Sequence, residues 1–540
     1  MASSDGTRWN FADMWEAVAA RQPDAPALVH GGETTSWGDL ARRAGAIGTA
    51  LIVAGLPHQA KVALYLANGP EYLEALFGTF TAGLVPVNTN YRYTESELAY
   101  LWRNADAEAV VFHGRFADQC ATLRPDLPAV RVWIWVDDGT NPCPEWAWPY
   151  DEVVAGPAGD VRPWSRSGDD LFLIYTGGTT GRPKGVMWPQ HSLFRSIERG
   201  YGTPLEPADP DALLDRLRLP GQRVVVAAPL MHGTACFFAM SRLTHGGCVI
   251  TVPGAFDPVL LLDTLEAERA KGVCIVGDAF GRPIAAALAS EPGRWDLTAL
   301  RLIFSSGVMF SPECKAALLA RAPRAVVADS LGSSESGGLG VSTTAPGERS
   351  TSGGFRVGPT TRVVDDDGRD VAPGSGEAGR LAVSGDIPVG YHGDPEKTAA
   401  TFLRIDGITH VVAGDWAEVG TDGTIRLLGR GSACINTGGE KVFPEEVEEA
   451  IKRTPGVRDA VVVGLPDDRF GEVITAVIEP DPGHEVDRDA VDARVRADLA
   501  GYKAPRHLVV VRSIGRAANG KADHPRLRQV AAEAVGIPLA

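Results

Sequence analysis

Residues Leu171 to Tyr175 form a short apolar run that empties into Thr176, Gly177, Gly178, Thr179, Thr180 and Gly181, with Lys184 three residues further on. A continuous apolar run of this length reads as a strand buried on both faces. The residues it empties into read as a loop dense in small residues. Glycines let backbone N–H groups approach an anion closely, and threonine hydroxyls add donors. Lys184 supplies a mobile positive charge beside them. This is a way to hold a polyphosphate, the alternative being a Gly/Thr surface turn. It is not the P-loop pattern, because Gly185 rather than Ser or Thr follows Lys184 and the spacing differs.

At 540 residues the chain exceeds one ordinary core, so two or more domains are expected. Hydrophobic residues at 44% and charged residues at 22% suit a soluble globular protein. No apolar run approaches the roughly 20 residues of a membrane-spanning helix, and Met1 to Asp5 lack the features of a signal peptide. A cytoplasmic location without membrane insertion is the expectation. The net charge of -16 argues against nucleic acid as a partner, so a polyanionic ligand must be met by local positive groups. Cysteines 120, 143, 236, 248, 274, 314 and 434 are scattered without a C-x-x-C pair, which argues against a zinc site or a disulfide framework.

Strand-like runs at Val62 to Leu66, Ala109 to Phe112, Arg131 to Val136, Arg223 to Ala228 and Arg301 to Phe304 alternate with Ala-rich helical stretches such as Ala316 to Arg321. The alternation predicts α/β layers with largely parallel sheets. Stretches 137–168 and 203–222, rich in Pro, Gly and Asp, read as surface excursions. Beyond about residue 430 the texture changes. Pro444 suits a first helical turn, with Val447 and Ile451 on one face. Strands Asp459 to Val463 and Glu472 to Ile478 bracket a Gly-Leu-Pro-Asp-Asp turn. A helix follows near Asp489 to Leu499, then a strand from Leu508 to Val511. The expected architecture is a large multi-subdomain α/β domain over 1–430 and a small, mobile α+β lid over 431–540, hinged near 430–434.

Further segments recur in order: Asp329 to Glu335, Gly414-Asp415, Asp422-Gly423, Gly429-Arg430, Gly438-Gly439-Glu440-Lys441, Tyr502 to Arg506 and Asn519-Gly520-Lys521. Together with the first loop they resemble, across nearly the whole chain, the adenylate-forming (ANL) superfamily of acyl-CoA synthetases, adenylation domains and firefly luciferase. Within it, TGGTTGRPKGVMW, PLMHGTA, VGDAF and NTGGEKVFPEEVEE look most like acyl-CoA synthetases acting on bulky polycyclic acids. Steroid side-chain acids are the familiar example, and the ligase type of platensimycin and platencin diterpenoid biosynthesis is a closer candidate.

The resemblance implies ATP, AMP, Mg²⁺ and coenzyme A as ligands, and a carboxylic acid as substrate. Thr176, Gly177, Gly178, Thr179, Thr180, Gly181 and Lys184 would cradle the phosphates. Glu335 would hold Mg²⁺, and Ser334 would donate to the α-phosphate. Asp329, Ser330, Leu331, Gly332 and Ser333 would line the adenine, while Asp415 would take the ribose hydroxyls with Arg430 in support. Lys521 would reach the α-phosphate and the substrate carboxylate. His232 would lie at the mouth of the acyl pocket, with Ser305, Ser306, Gly307, Val308, Met309 and Leu331 along its wall. Gly438, Gly439, Glu440 and Lys441 would border the pantetheine tunnel.

Four positions depart from the family pattern: Leu331 for Tyr, Ser334 for Thr, Gly177 for Ser, and Ala433 where the hinge carries Asp or Lys. Ala433 leaves open a ligase that thioesterifies an adenylate made by a partner enzyme. A nucleotide-binding protein without turnover, a carrier-protein acceptor and a homodimer also remain compatible with the sequence. Asp278 and Arg282 are expected to pair with each other rather than face the acid.

Overall fold

Runs such as Val62-Ala63-Leu64-Tyr65 and Phe172-Leu173-Ile174-Tyr175 are apolar on both faces, so a sheet containing them must be covered on both sides. The computed structural model describes residues 10–178, 181–200, 210–308, 310–348, 354–430, 435–437, 440–467, 470–499, 501–517 and 520–539. Contacts gather the chain into two units, Met1–Ser352 with Val383–Val411 and Gly353–Ala382 with Val412–Ala540.

The first unit holds two sheets. In one, the strands run in the order Glu33–Ser36, Pro26–His30, Cys248–Thr251, Arg223–Val226, Gly272–Ile275, Leu302–Ser306, Val326–Ser333 and Gly337–Thr344. These neighbours are parallel except for the first pair and the last, which are antiparallel hairpins. The second runs Gly390–Tyr391, Gly181–Pro189, Leu171–Gly178, Val85–Asn88, Lys61–Tyr65, Ala107–His113, Val132–Val136 and Trp148–Pro149. It is parallel except for its first two pairings. The α/β expectation holds here, and Trp133 and Trp135, two apart on one strand, lie in one buried cluster.

Between the sheets lies the main core, which includes helices Trp37–Val53 and Pro70–Thr81. Their approach is set by glycine: a Cβ at Gly78 would meet the Ala44 carbonyl oxygen and the Ile47 Cβ at 2.8 Å. Segment 137–168 is not wholly a surface excursion. Helix Tyr150–Ala155 buries Tyr150, Val153 and Val154, and Trp164 packs on the core with its indole N–H on the Ala82 carbonyl, 3.0 Å away. In 203–222, helix Pro210–Leu214 likewise buries Leu213 and Leu214. Apolar residues scattered among prolines and glycines hid both contacts from a periodicity reading.

In the second unit, Gly354–Val357, Ile425–Arg430, Asp415–Val419 and Ala378–Val383 lie side by side. The expected Asp422-Gly423 turn closes the central hairpin, with Asp422 Oδ1 accepting from the Thr424 amide at 3.1 Å and hydroxyl at 2.7 Å. A separate sheet pairs Val457–Asp467 with Gly471–Pro480, which is flanked by Ile435–Thr437 and, in parallel, His507–Val510. Alternate residues face opposite sides. Ala460 and Val462 join helices Pro444–Lys452 and Arg488–Asp498, while Val461 and Val463 join helix His524–Val535. Strand pairing continues through Gly464, Leu465, Pro466 and Asp467, so Gly-Leu-Pro-Asp is strand rather than turn.

At the carboxyl end of Ala107–His113, the buried His113 ring accepts the Ala67 amide on Nδ1 at 3.0 Å. Burial, aided by Arg115, lowers its pKa from 6.5 to about 4. The unfolded chain therefore binds the extra proton between these values, and stability present above pH 6.5 is lost as pH falls toward 4. The loss from this ring is about 3 kcal/mol. Urea melts across this range should show that slope, and H113N, whose amide oxygen stands where Nδ1 does and can still accept the Ala67 bond, should flatten it.

Candidate functional site

The phosphate-type loop is a hairpin. Leu171–Gly178 turns back into Gly181–Pro189 with Tyr175 opposite Gly185, Thr176 opposite Lys184 and Gly178 opposite Gly181. Gly185 follows Lys184 for a steric reason: a Cβ there would lie 2.6 Å from the Tyr175 ring. Lys184 Nζ stands 3.6 Å from Asp394 Oδ2 and 6.0 Å from the centre of the Tyr391 ring. The Tyr391 hydroxyl donates to Glu335 Oε1 at 3.0 Å. The fold thus brings Lys184 and Glu335, 151 positions apart in sequence, to the ring and the hydroxyl of one tyrosine.

Tyr391 and Asp394 are additions to the sequence-derived set. Their signal was Gly-Tyr followed by an Asp-Pro helix start. Asp394 caps helix Pro395–Thr401 by accepting the Lys397 amide at 2.8 Å, and the Tyr391 amide donates to Thr398 Oγ1 at 2.9 Å. Both side chains are therefore placed by a helix start, not by a flexible loop.

Glu335 follows a tight turn at the end of Val326–Ser333. Ser333 Oγ accepts the amides of Glu335 and Ser336, each at 3.2 Å, and Ser336 Oγ accepts the Ser333 amide at 3.1 Å. The Trp188 indole donates to the Ser334 carbonyl at 2.7 Å, tying this turn to the strand that carries Lys184. Gly332 faces Gly338, and a Cβ on it would lie 2.3 Å from the Gly337 carbonyl oxygen. Leu331 is buried. Asp329, placed by the resemblance near adenine, ion-pairs with buried Lys315 at 2.9 Å. Burial pushes its carboxyl upward, with Lys315 opposing.

Of the acyl-pocket residues, Ser305 is fully buried and its Oγ accepts the Gly277 amide at 2.9 Å, joining its strand to the helix of the VGDAF segment. Ser306 is buried and Val308 packs on the core. Gly307 has φ +92, a left-handed conformation suited to glycine. The expected Asp278–Arg282 pair forms at 3.0 Å, while Asp278 Oδ1 accepts the Ser311 amide and hydroxyl, both at 2.9 Å. His232, half-buried, precedes helix Gly233–Thr244.

One buried amide ties these regions together. Asn88 Nδ2 donates to the carbonyls of Tyr175 at 3.0 Å and Met231 at 2.7 Å, and its Oδ1 accepts the Tyr175 amide at 2.5 Å. It links the root of the phosphate-type loop to the residue before His232. Asn68 similarly accepts the Leu230 amide at 2.7 Å and donates to the Ala228 carbonyl at 2.9 Å.

In the second unit Asp415 lies opposite Arg430 in a strand pair, next to Gly414 at φ +97. Glu440 and Lys441 oppose Thr437 and Asn436. Lys521 is exposed, and its carbonyl accepts the Ala517 amide at 2.9 Å. For Gly177, Gly178, Gly181, Arg430, Glu440 and Lys441 only strand placement is described, and Thr179, Thr180, Met309, Ala433, Gly438 and Gly439 lie outside the described residues.

Among the described residues no group of three or more His, Cys, Asp or Glu could hold a metal. The Glu335 carboxylate is nonetheless a hard oxygen donor suited to Mg²⁺, which is commonly held by one or two carboxylates, substrate phosphates and water. No described helix is long and apolar enough to cross a membrane.

Replacing Asn88 by Leu would leave the Tyr175 amide and carbonyl and the Met231 carbonyl without the Asn88 bonds, at a cost of about 2–4 kcal/mol. Urea unfolding of N88L against wild type measures this directly.

A profile of the AMP-binding enzyme family matches residues 15–391, and one of the AMP-binding enzyme C-terminal domain matches residues 446–521. The medium/long-chain-fatty-acid–CoA/3-oxocholest-4-en-26-oate–CoA ligase of Mycolicibacterium smegmatis is 39% identical over 537 residues, 97% of each chain. The 3-oxocholest-4-en-26-oate–CoA ligase of Rhodococcus rhodochrous is 36% identical over 531 residues, covering 95% of this chain and 94% of that one. ATP-bound MatB from Rhodopseudomonas palustris superposes with a TM-score of 0.79 at 27% identity, covering 97% of this chain and 99% of that chain. The chain therefore belongs to the AMP-binding enzyme family, and within it to the AMP-forming acid–CoA ligases.

Proposed function

We propose that the protein converts a bulky hydrophobic, polycyclic carboxylic acid to its CoA thioester through an acyl-adenylate. The observation that supports this reading is the meeting of Lys184 and Glu335 at Tyr391, a cation and a carboxylate beside a threonine- and glycine-bearing hairpin. A carboxylate is a poor electrophile and is repelled by a triphosphate. In the proposed first step its oxygen attacks the α-phosphorus of ATP, the bond to the bridging oxygen breaks, and pyrophosphate leaves. In the second the CoA sulfur attacks the acyl carbonyl carbon, AMP leaves, and the thiol proton passes to solvent.

Lys184, Thr176 and the loop glycines bind the phosphates, and Ser334 donates to the α-phosphate. Mg²⁺, when bound at Glu335, would offset phosphate charge. The Tyr391 hydroxyl orients that carboxylate. Leu331 to Ser333 line the base, and Asp415 with Arg430 takes the ribose. Lys521 serves adenylation, and Gly438 to Lys441 border the CoA thiol path. His232 and residues 305–309 shape the acyl pocket, with Leu331 in place of the family's Tyr leaving room for fused rings. The names of the relatives point to medium- and long-chain fatty acids and a steroid side-chain acid. The reading extends to diterpenoid acids of the platensimycin class.

The domain boundary near 430 and the hinge at Ala433 belong to the same proposal. Alanine there favours a second reading, in which the enzyme thioesterifies an adenylate made elsewhere.

The test is mass-spectrometric detection of acyl-CoA from dodecanoic, 3-oxocholest-4-en-26-oic and diterpenoid acids. Each is offered free with ATP, Mg²⁺ and CoA, and as its synthetic adenylate with CoA. Product from both forms of a polycyclic acid is expected. Product from adenylates alone moves the assignment to the second reading, and product from fatty acids alone removes the polycyclic one. K184A should lower adenylation kcat/KM on the order of 100-fold. Unchanged adenylation in K184A would remove that lysine from the phosphate site.

A further inference from the structure

Lys521 sits at the end of a loop that the fold holds by its backbone. The Ala517 amide donates to the Lys521 carbonyl at 2.9 Å and the Gly520 amide to the Ala517 carbonyl at 2.8 Å, with Gly520 left-handed at φ +74. The lysine side chain is exposed, and the peptide that precedes it fixes where its Cα stands. That peptide is also held by a side chain. Arg516 Nη1 donates to the Gly520 carbonyl at 3.0 Å.

The same guanidinium is anchored at its other edge. Its Nε and Nη2 grip Asp459 Oδ2 and Oδ1 at 2.6 and 3.0 Å, and Nη2 also reaches the Ala460 carbonyl at 3.4 Å. Asp459 lies in the strand Val457–Asp467, and Lys452 Nζ adds a second cation at 3.2 Å from its Oδ1. Burial opposes ionisation of Asp459, but Arg516 and Lys452 outweigh it and hold its carboxyl below the usual range. Only a planar guanidinium can bind a carboxylate with two parallel N–H groups while sending a third to a carbonyl on its far side.

The loop is pinned a second time at buried Ile514, whose amide donates to Glu479 Oε2 at 2.7 Å. Glu479 belongs to the neighbouring strand Gly471–Pro480. Ile514 would keep the loop on the sheet without Arg516, but the Gly520–Lys521 peptide would lose the guanidinium that ties its carbonyl to Asp459.

We infer that Arg516 is a positioning residue for Lys521, fixing the Gly520–Lys521 peptide against Asp459 so that the lysine is aimed for adenylation. The inference rests on the proposed role of Lys521. It separates Arg516 from a purely stabilising ion pair by one property: the two half-reactions respond differently to its loss.

The experiment uses the full chain with 3-oxocholest-4-en-26-oic acid, or dodecanoic acid if that is the acid turned over. Adenylation is read as pyrophosphate release with hydroxylamine trapping, and thioesterification as acyl-CoA formed from the synthetic adenylate and CoA. K521A calibrates the loss. R516A should lower adenylation kcat on the order of 10- to 100-fold, since small misplacements of a reacting group have effects of that size. Thioesterification should stay within about 2-fold of wild type, which also reports that the unit is folded. R516K, keeping the charge without the fork, should fall between the two. D459N, which weakens the anchor without touching the loop, should show a smaller loss of the same kind.

Adenylation unchanged in R516A but lost in K521A would overturn the positioning role and leave the lysine's role intact. Equal loss of both half-reactions in R516A, R516K and D459N would make the cluster a structural ion pair and overturn the inference. Full adenylation in K521A would overturn the reading of Lys521 on which the inference stands.

Discussion

The arrangement of the first unit depends on a buried primary amide. Strand Val85–Asn88 ends while its neighbour Leu171–Gly178 runs on, so the Tyr175 amide and carbonyl lie beyond the paired residues and are met, with the Met231 carbonyl, by Asn88. An amide with two donors and one acceptor oxygen can satisfy Tyr175 on both sides and Met231 at once, which no apolar residue could do. Once that junction is made, the loop that follows Tyr175 and the segment that leads to His232 are held in a fixed relation. Lys184, Tyr391 and Glu335 are brought together through the Trp188 bond to the Ser334 carbonyl and the Tyr391 bond to Glu335.

The chemistry assigned to the enzyme places contrasting demands on its parts. Activating a carboxylate against a triphosphate needs positive charge and fixed donors where negative charge gathers. The chain carries a net charge of -16, so these groups are local. Lys184 faces Asp394, and Lys315 is committed to Asp329 in the interior. A partly exposed lysine beside a carboxylate can exchange partners, whereas a buried ion pair is costly to open. This difference in burial separates a lysine suited to meeting phosphate from one that holds a wall in place.

Most of the architecture was legible in the chain. Apolar runs on both strand faces announced covered parallel sheets, and Pro444 with Val447 and Ile451 announced a helix that the structure contains. The misreadings had two causes. Tyr150, Val153, Val154 and Trp164 lie among prolines, glycines and aspartates, so their burial leaves no periodic signature. Gly464 to Asp467 carry turn-forming residues yet pair in register, because the ladder and the packing on either face outweigh local preference.

By itself, the sequence determined the family and the kind of chemistry, because small residues, one lysine and one glutamate at set spacings carry their meaning locally. Tertiary structure decided which residues meet. Tyr391 gains its place from a hydroxyl bond to a residue 56 positions away, and Arg516 from a strand 57 positions away. Neither distance leaves a local pattern. A hydrogen bond is specified by where two groups end up, and that is settled only when the sheets and helices between them have packed.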